Sequence, residues 1–171
     1  MGLFNLAGQC AVVTGSTKGI GRGIAEHMVK AGACVVVSSR IEADALCFAE
    51  ELNSRYGADQ IVAQGVACDI EKEDDLENLI TQAIKLFGKI DTLVCNAAIM
   101  PLFGSSVDTT KEDFDRIVGC NIYQAFRLSH LVFNDMKKRG NGEHYAQGNN
   151  KVRPWGRHPG DGPCLRPTAT S

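Results

Sequence analysis

The chain has 171 residues and a mass of 18.4 kDa, with 44 % apolar residues, 22 % charged residues and a net charge of −2. That length suits one domain with a sizeable core. The small negative balance supplies no basic field for nucleic acid or an anionic membrane, and no apolar run reaches the roughly 18 residues of a membrane span. The opening MGLFNLAGQC lacks the basic and long apolar regions of a signal peptide, and Leu6 stands where a myristoylation signal has Ser or Thr. The cysteines at 10, 34, 47, 68, 95, 120 and 164 form no CxxC pair and approach no histidine at ligand spacing. The expectation is reduced thiols, no metal site, and an intracellular, reducing compartment such as the cytoplasm.

In chain order, Cys10 to Thr14 predicts a short apolar strand, and Gly19 to Ala31 a helix with Ile20, Ile24 and Met28 on its apolar face. Gly32 ends that helix. Ala33 to Ser38 is β-branched and lacks alternation, as in a parallel strand covered on both faces. A second helix is expected over 42–56 up to Gly57, and a third strand within Gln60 to Cys68, weakened by Gly65. Between Glu73 and Phe87 the residues Leu76, Leu79, Ile80, Ala83, Ile84 and Phe87 form one apolar stripe of a helix closed by Gly88. Asp91 to Cys95 is the fourth strand. Thr110 caps one long helix running to about Arg139, with Asp113 in its first turn. Strands alternating with helices at this spacing imply right-handed βαβ units: an α/β fold with a doubly wound, open parallel sheet.

Beyond Gly140 the composition changes. Four of the five prolines fall after Val152, and Val152 and Leu165 are the only large aliphatic residues of the segment. The chain is therefore expected to divide into a folded part, 1–140, and a disordered tail, 141–171.

Residues 14–21 read TGSTKGIG, between the first strand and the first helix. Backbone N–H groups at a helix start lack intrahelical partners and face the positive end of the macrodipole, so this turn predicts an anion site. Glycine there permits positive φ and lets a pyrophosphate approach without meeting a Cβ. TGxxxGIG resembles the cofactor turn of the short-chain dehydrogenase/reductase family, and further matches follow in family order up to about Gly142. Asp69-Ile70 in VACDI resembles the segment that contacts adenine. Asn96-Ala97-Ala98 matches the family's NNAG segment, with Cys95 for its first Asn and Ala98 for its Gly. Asn121 in GCNIY resembles the asparagine of the catalytic tetrad.

The resemblance implies a Rossmann-like sheet and NAD(P)-linked hydride transfer to or from a small carbonyl compound or secondary alcohol. It assigns the cofactor to Gly15, Ser16, Thr17, Lys18, Gly19, Ile20, Gly21, Arg40, Asp69, Ile70, Asn96, Ala97 and Ala98. The second strand ends Ser38-Ser39-Arg40, with no acid before Glu42. An arginine there suits a ribose 2′-phosphate, so NADP(H) is expected in preference to NAD(H), with Lys18 adding a second cation. Each of these residues also admits a structural role: Asp69 as a turn cap, Asn96 as a bridge between strands, Arg40 as a solvated cation. Asn121 falls on the stripe of Phe114, Ile117, Val118, Ala125 and Leu128, where its amide needs partners, either a neighbouring backbone or the family's proton relay.

The family's strongest signature does not appear. Its spacing from Asn121 puts the serine near 148 and the tyrosine near 162, where Gly148 and Gly162 stand, and Tyr145 is followed four residues later by Asn149. Only the tetrad asparagine has a counterpart. The expectation is a truncated or frame-shifted member, inactive by itself, or a non-catalytic nucleotide-binding or interaction isoform. It would hold an incomplete sheet of order 3-2-1-4, whose bare fourth strand could pair with a full-length relative.

Overall fold

Four short runs of small and β-branched residues become parallel strands because helices cover them on both sides. The computed structural model describes residues 5–100, 106–140, 143–146 and 151–152. Its elements are β1 (Cys10–Val13), α1 (Gly19–Lys30), β2 (Cys34–Ser39), α2 (Glu42–Tyr56), β3 (Ala63–Ala67), α3 (Glu73–Phe87) and β4 (Thr92–Cys95). After a 3₁₀ turn at Ser106–Asp108 come α4 (Lys111–Val118), a π-helical turn (Gly119–Tyr123), α5 (Gln124–Arg139), β5 (Glu143–Ala146) and β6 (Lys151–Val152). Among the described residues no helix is long and apolar enough to cross a membrane.

Successive residues of one strand feed opposite layers. Val12, Val36 and Leu93 pack with Leu76, Leu79 and Ile80 of α3 and Leu128 and Val132 of α5. Ala11, Val13, Val35 and Val37 pack with Ala25 and Val29 of α1 and Phe48 and Leu52 of α2. Gly65 belongs to β3 despite its poor strand propensity, because α2 lies against it; a Cβ there would stand 2.5 Å from the Ala45 carbonyl.

The expected order 3-2-1-4 is observed, and the sheet continues beyond it as β3-β2-β1-β4-β5-β6. β5 runs parallel to β4 with Thr92 opposite Glu143 and Cys95 opposite Ala146, and β6 runs antiparallel to β5. This corrects the expectation of a bare β4 edge open to a relative. Strand pairing uses backbone groups that every non-proline residue carries. The stretch EHYA therefore pairs without an apolar pattern. The rest of the tail, 147–150 and 153–171, lies outside the described residues. Arg139 anchors the end of α5, with its guanidinium on the Ile90 carbonyl and 2.5 Å from Asp91.

Two faces differ from the sequence pattern. In α1 the buried positions are Gly21, Ala25 and Val29, one residue on from the predicted set, and Ile20 is 79 % exposed. The contacts of Gly21 described below decide that rotation. The predicted single helix from Thr110 carries the π turn, which inserts an extra residue at Asn121. Cys120, Gln124, Leu128 and Val132 face the core, while Phe114 is 59 % exposed. The Thr110 cap forms as expected, its hydroxyl accepting from the Asp113 N–H at 3.1 Å.

Candidate functional site

The glycine turn is fastened to both neighbouring strands before it reaches α1. Thr14 is fully buried, and its hydroxyl oxygen accepts from the N–H groups of Asn96 and Ala97, both at 3.0 Å. Ser16 ties the other side, its Oγ accepting from the Ser38 N–H at 2.8 Å. Between them Gly15 has φ +60°, and a Cβ on it would meet the Ala97 Cβ at 2.9 Å. Asn96 donates from Nδ2 to the carbonyls of Thr14 and Gly15 at 3.1 and 3.0 Å. A Cβ at Gly21 would stand 2.4 Å from both that Nδ2 and the Gly15 carbonyl oxygen. The first turn of α1 thus sits directly on the turn that precedes it.

The N-terminus of α1 is left uncapped by side chains. Lys18 at the cap offers no acceptor, and the first turn holds no carboxylate. Its free amides are the donors an anion requires.

A cleft of about 530 Å³ opens beside this turn, at the C-terminal ends of the strands. Of the residues the sequence singled out, Gly15, Arg40, Ile70, Asn96, Ala97 and Ala98 line it. Ser16, Thr17, Lys18, Gly19, Ile20, Gly21, Asp69 and Asn121 are not among its described lining residues. The Lys18 ammonium, 82 % exposed, lies 3.4 Å from the Asp44 carboxylate. Asp69 caps the turn into α3, its Oδ1 accepting from the Glu71 N–H at 3.1 Å.

Asn121 spends its amide on one neighbour. Its Oδ1 accepts from the Ile99 N–H at 2.8 Å and its Nδ2 donates to the Ile99 carbonyl at 2.9 Å. The π turn aims this side chain at the loop after β4, and Ile99 is itself a cleft residue. Asn121 and Asn96 therefore both hold the cleft wall in shape through backbone hydrogen bonds.

The structure adds residues that the sequence reading passed over. Ser39, Cys68, Ile99, Met100 and Arg116 also line the cleft. Arg116 reaches from α4 to Glu71 by two parallel bonds, Nε to Oε1 at 2.7 Å and Nη2 to Oε2 at 2.9 Å. That fork holds the Glu71 carboxyl below the usual carboxylate range; burial opposes it, and the charges of Arg116 and Arg40 reinforce it. The Cys68 thiol is pushed up to about 12 by burial, with Asp75 and Asp69 adding to the effect, so it presents no nucleophile to the cleft. The one signal for Arg116 in the sequence is its place slightly more than one helical turn before Asn121. Thr14 could have been found as a hydroxyl at the buried end of β1.

A family model described as short chain dehydrogenase matches residues 9–143. The chain belongs to that family. It is 38 % identical over 137 residues to dehydrogenase/reductase SDR family member 4 of Homo sapiens, covering 80 % of this chain and 48 % of that protein. It is 35 % identical over 136 residues to dehydrogenase/reductase SDR family member 2, mitochondrial, of Homo sapiens, covering 79 % of this chain and 47 % of the relative. Among solved structures, it resembles the 3-ketoacyl-(acyl-carrier-protein) reductase of Brucella melitensis complexed with NADH. That match has a TM-score of 0.71 and 34 % identity, and covers 80 % of this chain and 53 % of the other. The chain spans about half the length of the curated relatives it matches. The family is one of oxidoreductases with a nicotinamide cofactor.

Proposed function

We propose that this chain binds NADP(H), in preference to NAD(H), as the cofactor-holding part of a short-chain oxidoreductase. In such an enzyme the dinucleotide supplies or accepts the hydride for a small carbonyl compound or secondary alcohol. The observation that carries the reading is the uncapped start of α1, where Gly19, at φ +56°, has nothing within 4 Å of its Cβ position. Unpaired amides beside open space suit a pyrophosphate, while Gly15 and Gly21 let the turn pack closely on Ala97 and Asn96. The residues fit the group: the α1 amides would take the pyrophosphate, Ile70 and Ala97 would flank the adenosine, and Arg40 would meet a 2′-phosphate. NADH in the Brucella melitensis relative supports a nicotinamide dinucleotide; the phosphorylated form is favoured by Arg40.

The 171 residues contain no Tyr-x-x-x-Lys pair, so they offer no tyrosine whose proton a lysine could help release. We infer a polypeptide that holds the cofactor without turning it over. NADPH fluorescence titration of the folded 171-residue chain tests the first part, and a carbonyl-reduction assay tests the second. Saturable binding without turnover is expected. Absence of binding at about 1 mM, an affinity weaker than about 4 kcal/mol, overturns the reading, and measurable turnover overturns the second part.

A further inference from the structure

Arg40 at the end of β2 and Arg116 on α4 line the same cleft from different elements, and Glu71 stands between them in charge. Its carboxylate takes both oxygens to Arg116 and also feels Arg40. Two guanidiniums thus face the mouth, with the carboxylates of Glu71 and Asp69 close by, all four charges being felt at Cys120.

Arg116 is half in solvent, its side chain 53 % exposed, and Glu71 is 26 % exposed. At that exposure water already competes for the fork, so a more highly charged partner can displace the carboxylate from it. A guanidinium fork matches a phosphate as well as it matches a carboxylate, and a phosphate monoester brings more negative charge than Glu71 does. An unphosphorylated ribose offers nothing to exchange for the carboxylate.

We propose that Arg116 is a second determinant of cofactor choice, held in reserve by Glu71 and released to the phosphate monoester of a phosphorylated adenosine ribose. Arg116 and Arg40 then grip that phosphate from α4 and β2. Glu71 acts through Arg116 as a positioning residue: its negative charge lowers the preference for the phosphorylated dinucleotide below what two free arginines would give. This rests on the dinucleotide reading above.

The test is the ratio of NADP⁺ to NAD⁺ dissociation constants, by calorimetry on the full chain and its variants. Each variant is first checked for an unchanged circular dichroism spectrum and thermal transition. Arg116→Met lowers the preference for NADP⁺ by about tenfold, the loss of one charge-assisted hydrogen-bonded contact. Arg116→Lys restores part of it, as a point charge without the fork. Glu71→Gln raises the preference several-fold, and Glu71→Gln combined with Arg116→Met matches Arg116→Met, because Glu71 acts only through Arg116. The preference falls with added salt in the unmodified chain and does so less in Arg116→Met. An unchanged ratio in Arg116→Met, or a lower one in Glu71→Gln, overturns the proposal while leaving dinucleotide binding intact. A chain that binds neither dinucleotide overturns both.

Discussion

Two alanine substitutions in one helix should have opposite signs. At Gly21 an added Cβ lies 2.4 Å from the Gly15 carbonyl oxygen and from the Asn96 Nδ2, about 1 Å short of normal contact. The carbonyl is backbone and cannot swing aside, so α1 must move off the turn. Overpacking of this kind costs roughly 1–3 kcal/mol. The two Asn96 hydrogen bonds, at 3.1 and 3.0 Å, are loosened as well, at about 1 kcal/mol each when fully lost. Alanine's better helix propensity returns about 1 kcal/mol. The net is a destabilisation of about 2–3 kcal/mol. Gly23, two residues on, has nothing within 4 Å of its Cβ position, so Gly23→Ala keeps only the gain of about 0.5–1 kcal/mol. Urea unfolding followed by circular dichroism reads both. With a slope of about 1–3 kcal/mol per molar, the Gly21→Ala midpoint drops by roughly 1 M and the Gly23→Ala midpoint rises by a few tenths. Gly21→Ala also weakens NADPH binding, because the displaced amides are the proposed phosphate donors. Midpoints that shift in the same direction would refute the close-approach argument.

Other expectations follow from the buried hydrogen bonds and thiols. Thr14→Val preserves shape but takes the hydroxyl acceptor from the Ala97 N–H and leaves the Asn96 N–H with the Val94 carbonyl, costing about 1–3 kcal/mol and roughly 3–9 °C in Tm; Thr14→Ser recovers most of it, and an unchanged Tm for Thr14→Val would contradict this. Asn121→Ala frees both backbone groups of Ile99, so hydrogen exchange at that amide quickens in the variant; equal protection would show that the amide clamp holds nothing. Burial comes first among the causes that raise the thiols: Cys10 to about 11, and Cys68 and Cys95 to about 12. The unfolded chain ionises these groups near pH 8.5 and the folded chain does not. Their contribution is therefore complete below that pH and is lost as pH rises through 11 to 12. The urea midpoint should fall steadily above pH 9, with a shallower fall in Cys95→Ala. At pH 8 a maleimide should label exposed Cys47 well before Cys95, and equal rates would count against a sealed core.

The element order and the sheet order through β4, the two-sided strands and the glycine turn were all legible in the sequence. They depend on local spacing: β-branched runs, a stripe at helical period in α3, and glycines between a strand and a helix. The faces of α1 and α5 were not legible. In α1, Ile20, Ile24 and Met28 make an apolar stripe as good as the true one, and only the contact of Gly21 with Gly15 and Asn96 selects between them. In the last long helix, the π turn at Asn121 shifts the register by an inserted residue, and periodicity assumes no insertion.

What the sequence determined by itself is therefore the fold class and the anion-binding turn, because both arise from neighbours along the chain. Tertiary structure alone decided three other things. It turned Asn96 and Asn121 toward backbone partners distant in the chain, brought Arg116 from α4 to the cleft that Arg40 also lines, and paired the stretch EHYA with β4. The physical reason is common to all three. A polar side chain or an unpaired backbone group is satisfied by whatever the fold brings within about 3 Å, and that partner can come from any point along the chain.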